Sequence, residues 1–259
     1  MIPSPEMGLA GEEAQRQCLI VAPVSVIAYR VLLVRHAVDD GMLSAREGIA
    51  HLRRLLERHA AFEQAEAEDE RRRGISRTLR RNYPSWWDEG RTQPRYHYWR
   101  SLCWLALANL AAVSVPEQQQ AWLEHARSDA AAAYRGYTQR ARLDNRERLR
   151  AWYALLLQVE VERVAGAMPE ALRMIEAAAM EAGRYRRPDA ALLIWLRLAQ
   201  LWRETALPGS ERHAERALRT AWRLAGEQAD TGRDTIRQMG QRLFGTGWLP
   251  VPAPRHRPW

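Results

Sequence analysis

Between Asp144 and Ala229, apolar residues recur three or four positions apart in four successive runs, each closed by glycine or proline. That spacing lays one stripe along an amphipathic helix. The first run holds Leu149, Trp152, Tyr153, Leu156, Val159 and Val164, opens on the capping pattern Asp144-Asn-Arg-Glu147 and stops at Gly166. Pro169 restarts the chain in a first-turn position, where its missing N–H costs little. Leu172, Ile175, Ala178 and Ala179 then form a second inner stripe, ending at Gly183. Pro188-Asp189 begins a third helix whose Leu192, Leu193, Ile194, Trp195, Leu196, Leu198, Leu201 and Trp202 cover most of its circumference, the pattern of a helix with neighbours on several sides. Pro208-Gly209-Ser210 breaks and recaps the chain. In the fourth helix Ala214, Ala217, Leu218, Ala221, Trp222 and Ala225 face inward, while Arg212, Arg216, Arg219 and Arg223 face outward.

The two second helices share a pattern, Ala171/Ile175/Ala178 and Ala214/Leu218/Ala221, in which small residues let helix axes approach closely. This resembles the second helix of a tetratricopeptide repeat and, with the hairpin before it, the plan of that superfamily. The copies lie roughly 43 residues apart, against about 34 in the family. The family's first-helix glycine falls at Val159 and Trp202 here. The resemblance covers about a third of the chain and implies a stack of hairpins that binds a partner along a groove; no functional residue carries over.

An earlier, more diverged pair runs from Pro94 to Val113 (Trp99, Leu102, Cys103, Leu105, Ala106, Leu110) and, after the recap Ser114-Val-Pro-Glu117, through Trp122, Ala126 and Ala130 to Ala133. Three hairpins are about the number at which such a stack buries a continuous core. Thr231 to Phe244 reads as a capping helix. The predicted fold is therefore all-α: stacked antiparallel helical hairpins, a right-handed α-solenoid or α–α superhelix, with an extra N-terminal helical segment. The expected divisions are a flexible tail 1–17, an N-terminal helical segment 18–92, the hairpin domain 93–244 and a Pro-rich tail 245–259, whose Trp248 could fold back on the last helix.

Within the N-terminal segment, Ser44-Ala-Arg-Glu47 is a capping box, and Ile49, Leu52, Leu55, Leu56 and Phe62 set a buried stripe. Cys18 to Val38 is apolar, interrupted by Pro23 and Arg30, and three readings compete for it. One is a buried helix from Pro23 to Asp39, stopped at Gly41. Another is a single inner-membrane span, which needs about 20 residues but would bury Arg30 at roughly 2.5–3.5 kcal/mol. In the third, Val31 to Ala37 resembles the strand-plus-Arg-His signature of the histidine phosphatase superfamily, implying His36 as nucleophile and Arg35 as phosphate clamp. That fold needs alternating strands and helices, whereas the later sequence is helix after helix, and His213 and His256 lie in no strand-end context.

Composition sharpens the picture in one place. All 39 basic residues are arginine, a bias a GC-rich bacterial genome explains, and the formal charge is +8. From Arg71 to Arg100, nine arginines face Asp88 and Glu89, a balance of +7, just after the acidic stretch Glu63 to Glu70. Arg71, Arg72, Arg73, Arg77, Arg80, Arg81, Trp86, Trp87, Arg91, Arg95, Tyr96, Tyr98 and Arg100 make up the candidate partner-binding surface, with Pro84, Gly90 and Pro94 setting its middle as a loop. Arginine beside aromatic rings suits an acidic protein, nucleic acid or an anionic membrane. The competing structural reading has Trp86, Trp87 and Trp99 packing the junction of the helices, with the arginines paired to the acidic stretch. Cys18 and Cys103 form no framework, which fits a reducing cytoplasm. The chain shows no glycine-rich phosphate loop, zinc motif or nucleophile elbow, and no cofactor is expected. His51 and His59, eight apart, read as solvated surface. The expected role is a scaffold for protein–protein interaction.

Overall fold

The computed structural model describes residues 23–72, 94–141, 145–182, 188–205, 207–225 and 231–248. Among these the chain forms nine helices and no strand. They are α1 (Pro23–Asp39), α2 (Ala45–Arg72), α3 (Pro94–Ser114), α4 (Pro116–Ala141), α5 (Asn145–Val164), α6 (Met168–Ala182), α7 (Pro188–Glu204), α8 (Ser210–Ala225) and α9 (Thr231–Phe244). Residues 1–22, 73–93 and 249–259, with the predicted Asp144 cap and the Gly183 stop, lie outside the described residues. The chain divides into two compact units, 1–157 and 158–259, the division falling within α5.

In the first unit α3 and α4 form an antiparallel pair, and α1 and α2 pack on α3. Their seam is built from small residues: Ala106, Ala108 and Ala111 on α3 and Ala126, Ala130 and Ala133 on α4 are all buried. The fully buried indole of Trp99 fills the same core. Ser114 ends α3, its hydroxyl donating back to the Leu110 carbonyl at 2.9 Å, and Pro116 restarts the chain. Arg53 ties α2 to α4: it donates to Gln118 Oε1 at 2.7 Å and lies 5.2 Å from the centre of the Trp122 ring.

α1 spans the residues expected of the helical reading, and Gly41 stops it at φ +71°. Between Arg30 and Asp39 it is buried along one side only. Val31 is buried, whereas Leu32 and Leu33 stay 50% and 47% exposed. No helix among the described residues is long and apolar enough to cross a membrane. The Val31–Ala37 stretch is helical, so Arg35 and His36 stand exposed on α1 and not at the strand end that the phosphatase resemblance requires. Gly48 on α2 marks where three helices meet: a Cβ there would fall 2.8 Å from Val38 Cγ2 and 3.0 Å from Leu110 Cδ1.

The capping box forms as its spacing predicts. The Ser44 backbone N–H donates to Glu47 Oε2 at 2.8 Å, its hydroxyl to the same oxygen at 2.7 Å, and the Glu47 N–H returns a bond to Ser44 Oγ at 3.3 Å. The two Ser44 bonds, backbone first, hold the Glu47 carboxyl below its usual range.

In the second unit α6 packs on α7, α7 on α8, and α9 on both α8 and α7. The predicted inner stripes are the buried ones: Ala171, Leu172, Ile175, Ala178 and Ala179 on α6, and Ala214, Ala217, Leu218, Ala221 and Ala225 on α8. Arg212, Arg216, Arg219 and Arg223 face water. Gly166 (φ +78°) and Gly209 (φ +80°) supply the left-handed turns between helices. At Gly166 the Ala167 N–H reaches back to the Glu162 carbonyl at 2.9 Å, the six-to-one bond of a Schellman ending.

Trp248 folds back onto α9. Its indole lies against Gly240, where a Cβ would come within 1.9 Å of Cε3, and stacks with Phe244 at 6.4 Å between centroids. Gly240→Ala must therefore displace the ring, an overpacking cost of about 1–3 kcal/mol. In urea unfolding that cost should largely vanish in the Trp248→Ala background; an equal cost in both backgrounds would contradict the contact.

Candidate functional site

The predicted Arg/aromatic surface divides between the end of α2, the start of α3 and the segment 73–93 that lies outside the described residues. Arg71 and Arg72 are the last residues of α2. Arg73, Arg77, Arg80, Arg81, Trp86, Trp87 and Arg91 lie outside the described residues. Arg95, Tyr96, Tyr98 and Arg100 occupy the first two turns of α3, which begins at Pro94.

Of the four aromatic residues in the expected surface, Trp86 and Trp87 lie outside the described residues and Tyr96 and Tyr98 are drawn into the fold. Tyr96 and Trp99 are buried in the core, as the structural reading has it for Trp99, and Tyr98 is half-buried against it. The cause is α4, which comes close over this turn because Gly136 leaves room for Pro94; a Cβ at Gly136 would fall 2.4 Å from Pro94 Cγ. Burial, and then the neighbouring Tyr153, push the Tyr98 hydroxyl above its ordinary pKa. Arg95 lies 4.9 Å from the Tyr96 ring centre and donates to its hydroxyl at 3.2 Å.

Arg100 belongs to a partly buried ion cluster with His97 and Asp129 of α4. Its Nε and Nη2 donate to Asp129 Oδ2 and Oδ1 at 3.2 and 2.9 Å, the two-pronged geometry guanidinium offers a carboxylate. His97 Nδ1 stands 2.6 Å from Asp129 Oδ1, a separation that places a proton on Nδ1 donating to the carboxylate. The arginine thus pairs across the hairpin with Asp129 of α4; the side chains of the acidic stretch Glu63 to Glu70 lie outside the described ones. Burial pushes the Asp129 carboxyl up, but the bonds from His97 and Arg100, with their charge, outweigh it and hold the group below its ordinary value.

An Asp–His pair is also how a general base is oriented. The serine one turn along, Ser101, is fully buried, and its hydroxyl donates to the Ala126 carbonyl at 2.8 Å, so it is committed to the helix seam. Cys103 is likewise buried, and burial pushes its thiol pKa far up, away from a reactive thiolate. Among the described residues no group of His, Cys, Asp and Glu could hold a metal ion.

The second unit carries a related network that the sequence reading missed. Arg163 donates to both Glu160 oxygens, at 2.6 and 3.1 Å, and to Glu204 at 3.3 Å. Arg197 pairs with Glu160 and donates to Gln200 at 3.0 Å. Burial raises the Glu160 pKa and the two arginines lower it further, leaving it depressed. Glu160 and Arg163 lie one helical turn apart on α5; their partners on α7, Arg197 and Glu204, are about two turns apart. The i,i+3 pair was visible in the sequence; its α7 partners were not.

Two histidines also have structural roles. His125 stacks on Trp104 at 4.8 Å and His213 on Trp202 at 4.4 Å, each joining the two helices of one hairpin.

Between α1 and α2 lies an open groove of about 410 Å³. Leu33, Val34 and Leu55 give it an aliphatic floor, and Arg30, His51, Arg54 and Arg58 line it with basic groups. Comparison of the chain with protein-family models, with curated proteins and with solved structures gives no match.

The Asp129 cluster has a pH signature. A carboxyl depressed in the folded state contributes stability above its unfolded pKa, about 3.9 for Asp, and loses it as pH falls through the lower folded value. Asp129→Asn should cost about 1.5–3 kcal/mol at pH 7, the scale of hydrogen bonds to a charged group. Urea melts should show the gap between wild type and variant closing as pH drops below about 4; a gap independent of pH would contradict the account.

Proposed function

We propose that the chain is a non-catalytic scaffold of tetratricopeptide-like stacked helical hairpins that holds an acidic protein partner in the cytoplasm. The observation that carries this reading is the way successive hairpins join in the second unit. The Glu160–Arg197 pair links α5 to α7, the first helices of consecutive hairpins. The second helix of one hairpin, α6, packs on the first helix of the next, α7. A stack joined in this manner is extended by adding hairpins and leaves long helix faces for recognition.

Arginine is the chemistry common to the outer face of α8 and the Arg71–Arg100 window of the sequence. The α8 stripe of Arg212, Arg216, Arg219 and Arg223 is exposed, and the Arg71–Arg100 window holds most of the chain's excess charge. Arginine binds carboxylates with two parallel bonds, which suits an acidic protein surface. The polar clusters that resemble catalytic arrangements are occupied in fastening helices together. Burial of Tyr96 and Trp99 and half-burial of Tyr98 take these three rings of the window away from base stacking, which favours protein over nucleic acid.

Pull-down from native extract with the full chain, beside Arg71→Glu/Arg72→Glu/Arg73→Glu, tests the proposal. The expected result is an acidic protein retained by wild type and reduced at least tenfold by the triple variant. Equal retention by both would overturn the arginine surface. Retention of nucleic acid in place of protein, lost between low and moderate salt, would overturn the choice of partner.

A further inference from the structure

We infer that the α1–α2 groove is a binding site for a small anionic amphiphile, a molecule with an aliphatic tail and a carboxylate or similar head. The proposal is independent of the scaffold reading. It rests on the floor and lining of the groove taken together. Leu33, Val34 and Leu55 offer hydrocarbon alone, and Leu33 is 47% exposed, so an apolar surface stands open to water. The polar groups among the described lining residues, Arg30, His51, Arg54 and Arg58, are all basic, with no carboxylate among them. A neutral apolar ligand would leave the Arg54 guanidinium unused, and a cation would be repelled by it.

Size decides between a small ligand and a macromolecule. The groove, about 410 Å³, falls in the roughly 300–1,000 Å³ range of small-molecule sites. Its α2 wall, from His51 to Arg58, spans about 10 Å at the helical rise per residue, which matches an extended tail of medium length. A standard protein interface engages about 20–30 residues a side; seven of the described residues line this groove.

Arg54 is the head-group anchor. Arg30 and Arg58 engage other groups of the fold, whereas Arg54 is exposed and makes no ion pair among the described residues. The carboxylate head sits at Arg54 with His51 one turn away on the same helix, and the tail lies along Leu55, Val34 and Leu33. Burying that tail provides the apolar part of the affinity.

Isothermal titration of the full chain with sodium decanoate tests the assignment, with decanol and decyltrimethylammonium as uncharged and cationic controls. Wild type should show saturable one-to-one binding of decanoate, at least roughly tenfold tighter than of decanol, and none of the cation. Arg54→Glu, on an exposed position, should weaken decanoate roughly tenfold or more while circular dichroism and the thermal midpoint stay unchanged. Leu33→Gln should weaken decanoate and decanol alike. Absence of saturable binding below the micellar range, or equal affinity in Arg54→Glu, would overturn the site. Tight binding of a leucine- and glutamate-rich helical peptide that decanoate does not displace would overturn the ligand class and give the groove to a protein.

Discussion

Helix axes can come close only where side chains are small, and the α3–α4 and α7–α8 seams are built on that constraint. Ala126, Ala130 and Ala133 bring α4 onto α3, and Ala214, Ala217 and Ala221 do the same for α8 on α7. Glycine takes the same role where the approach is tighter still, at Gly48, Gly136 and Gly240. The large residues fill the space this leaves: Trp99, Leu107, Ile175, Ile194, Leu201 and Leu218 are fully buried. Interiors are packed to crystal-like density, so a seam of this type holds only if the small positions remain small.

On this apolar frame the charged groups act as fasteners. Asp129 receives both Arg100 and His97 across the α3–α4 hairpin, and Glu160 receives Arg163 and Arg197 across α5 and α7. Both carboxylates are partly buried, and their low pKa values follow from having two basic partners, which outweighs the cost of burial. Removing one partner from such a cluster leaves a charge half-buried and unpaired, so the clusters are stability devices with sharp local requirements.

The elements were largely legible in the sequence because they are marked by local chemistry. Glycine or proline stands at most boundaries, and the Ser44–Glu47 box and the alanine stripes of α6 and α8 needed no tertiary information. What the sequence concealed was which partner each polar or aromatic residue meets. Tyr96 and Tyr98, set among arginines, looked like surface, yet α4 covers them. Arg100 lay near the Glu63–Glu70 stretch in sequence but pairs with Asp129, twenty-nine positions away. His125 and His213 had no motif to mark them and stack on tryptophans of the preceding helix. The basic groove joins residues of α1 and α2 separated by the Gly41 turn, a juxtaposition that periodicity cannot reveal.

Close approach through small residues is tested most directly by enlarging them. Equilibrium urea unfolding of Ala214→Leu and Ala221→Leu should each show a loss of about 1–3 kcal/mol, the cost of forcing bulk into a packed seam. Arg212→Leu, on the exposed face of the same helix, should stay within about 0.5 kcal/mol of wild type. Alanine variants as stable as the arginine variant would contradict the account, because the α7–α8 seam would then have room that its buried alanines deny.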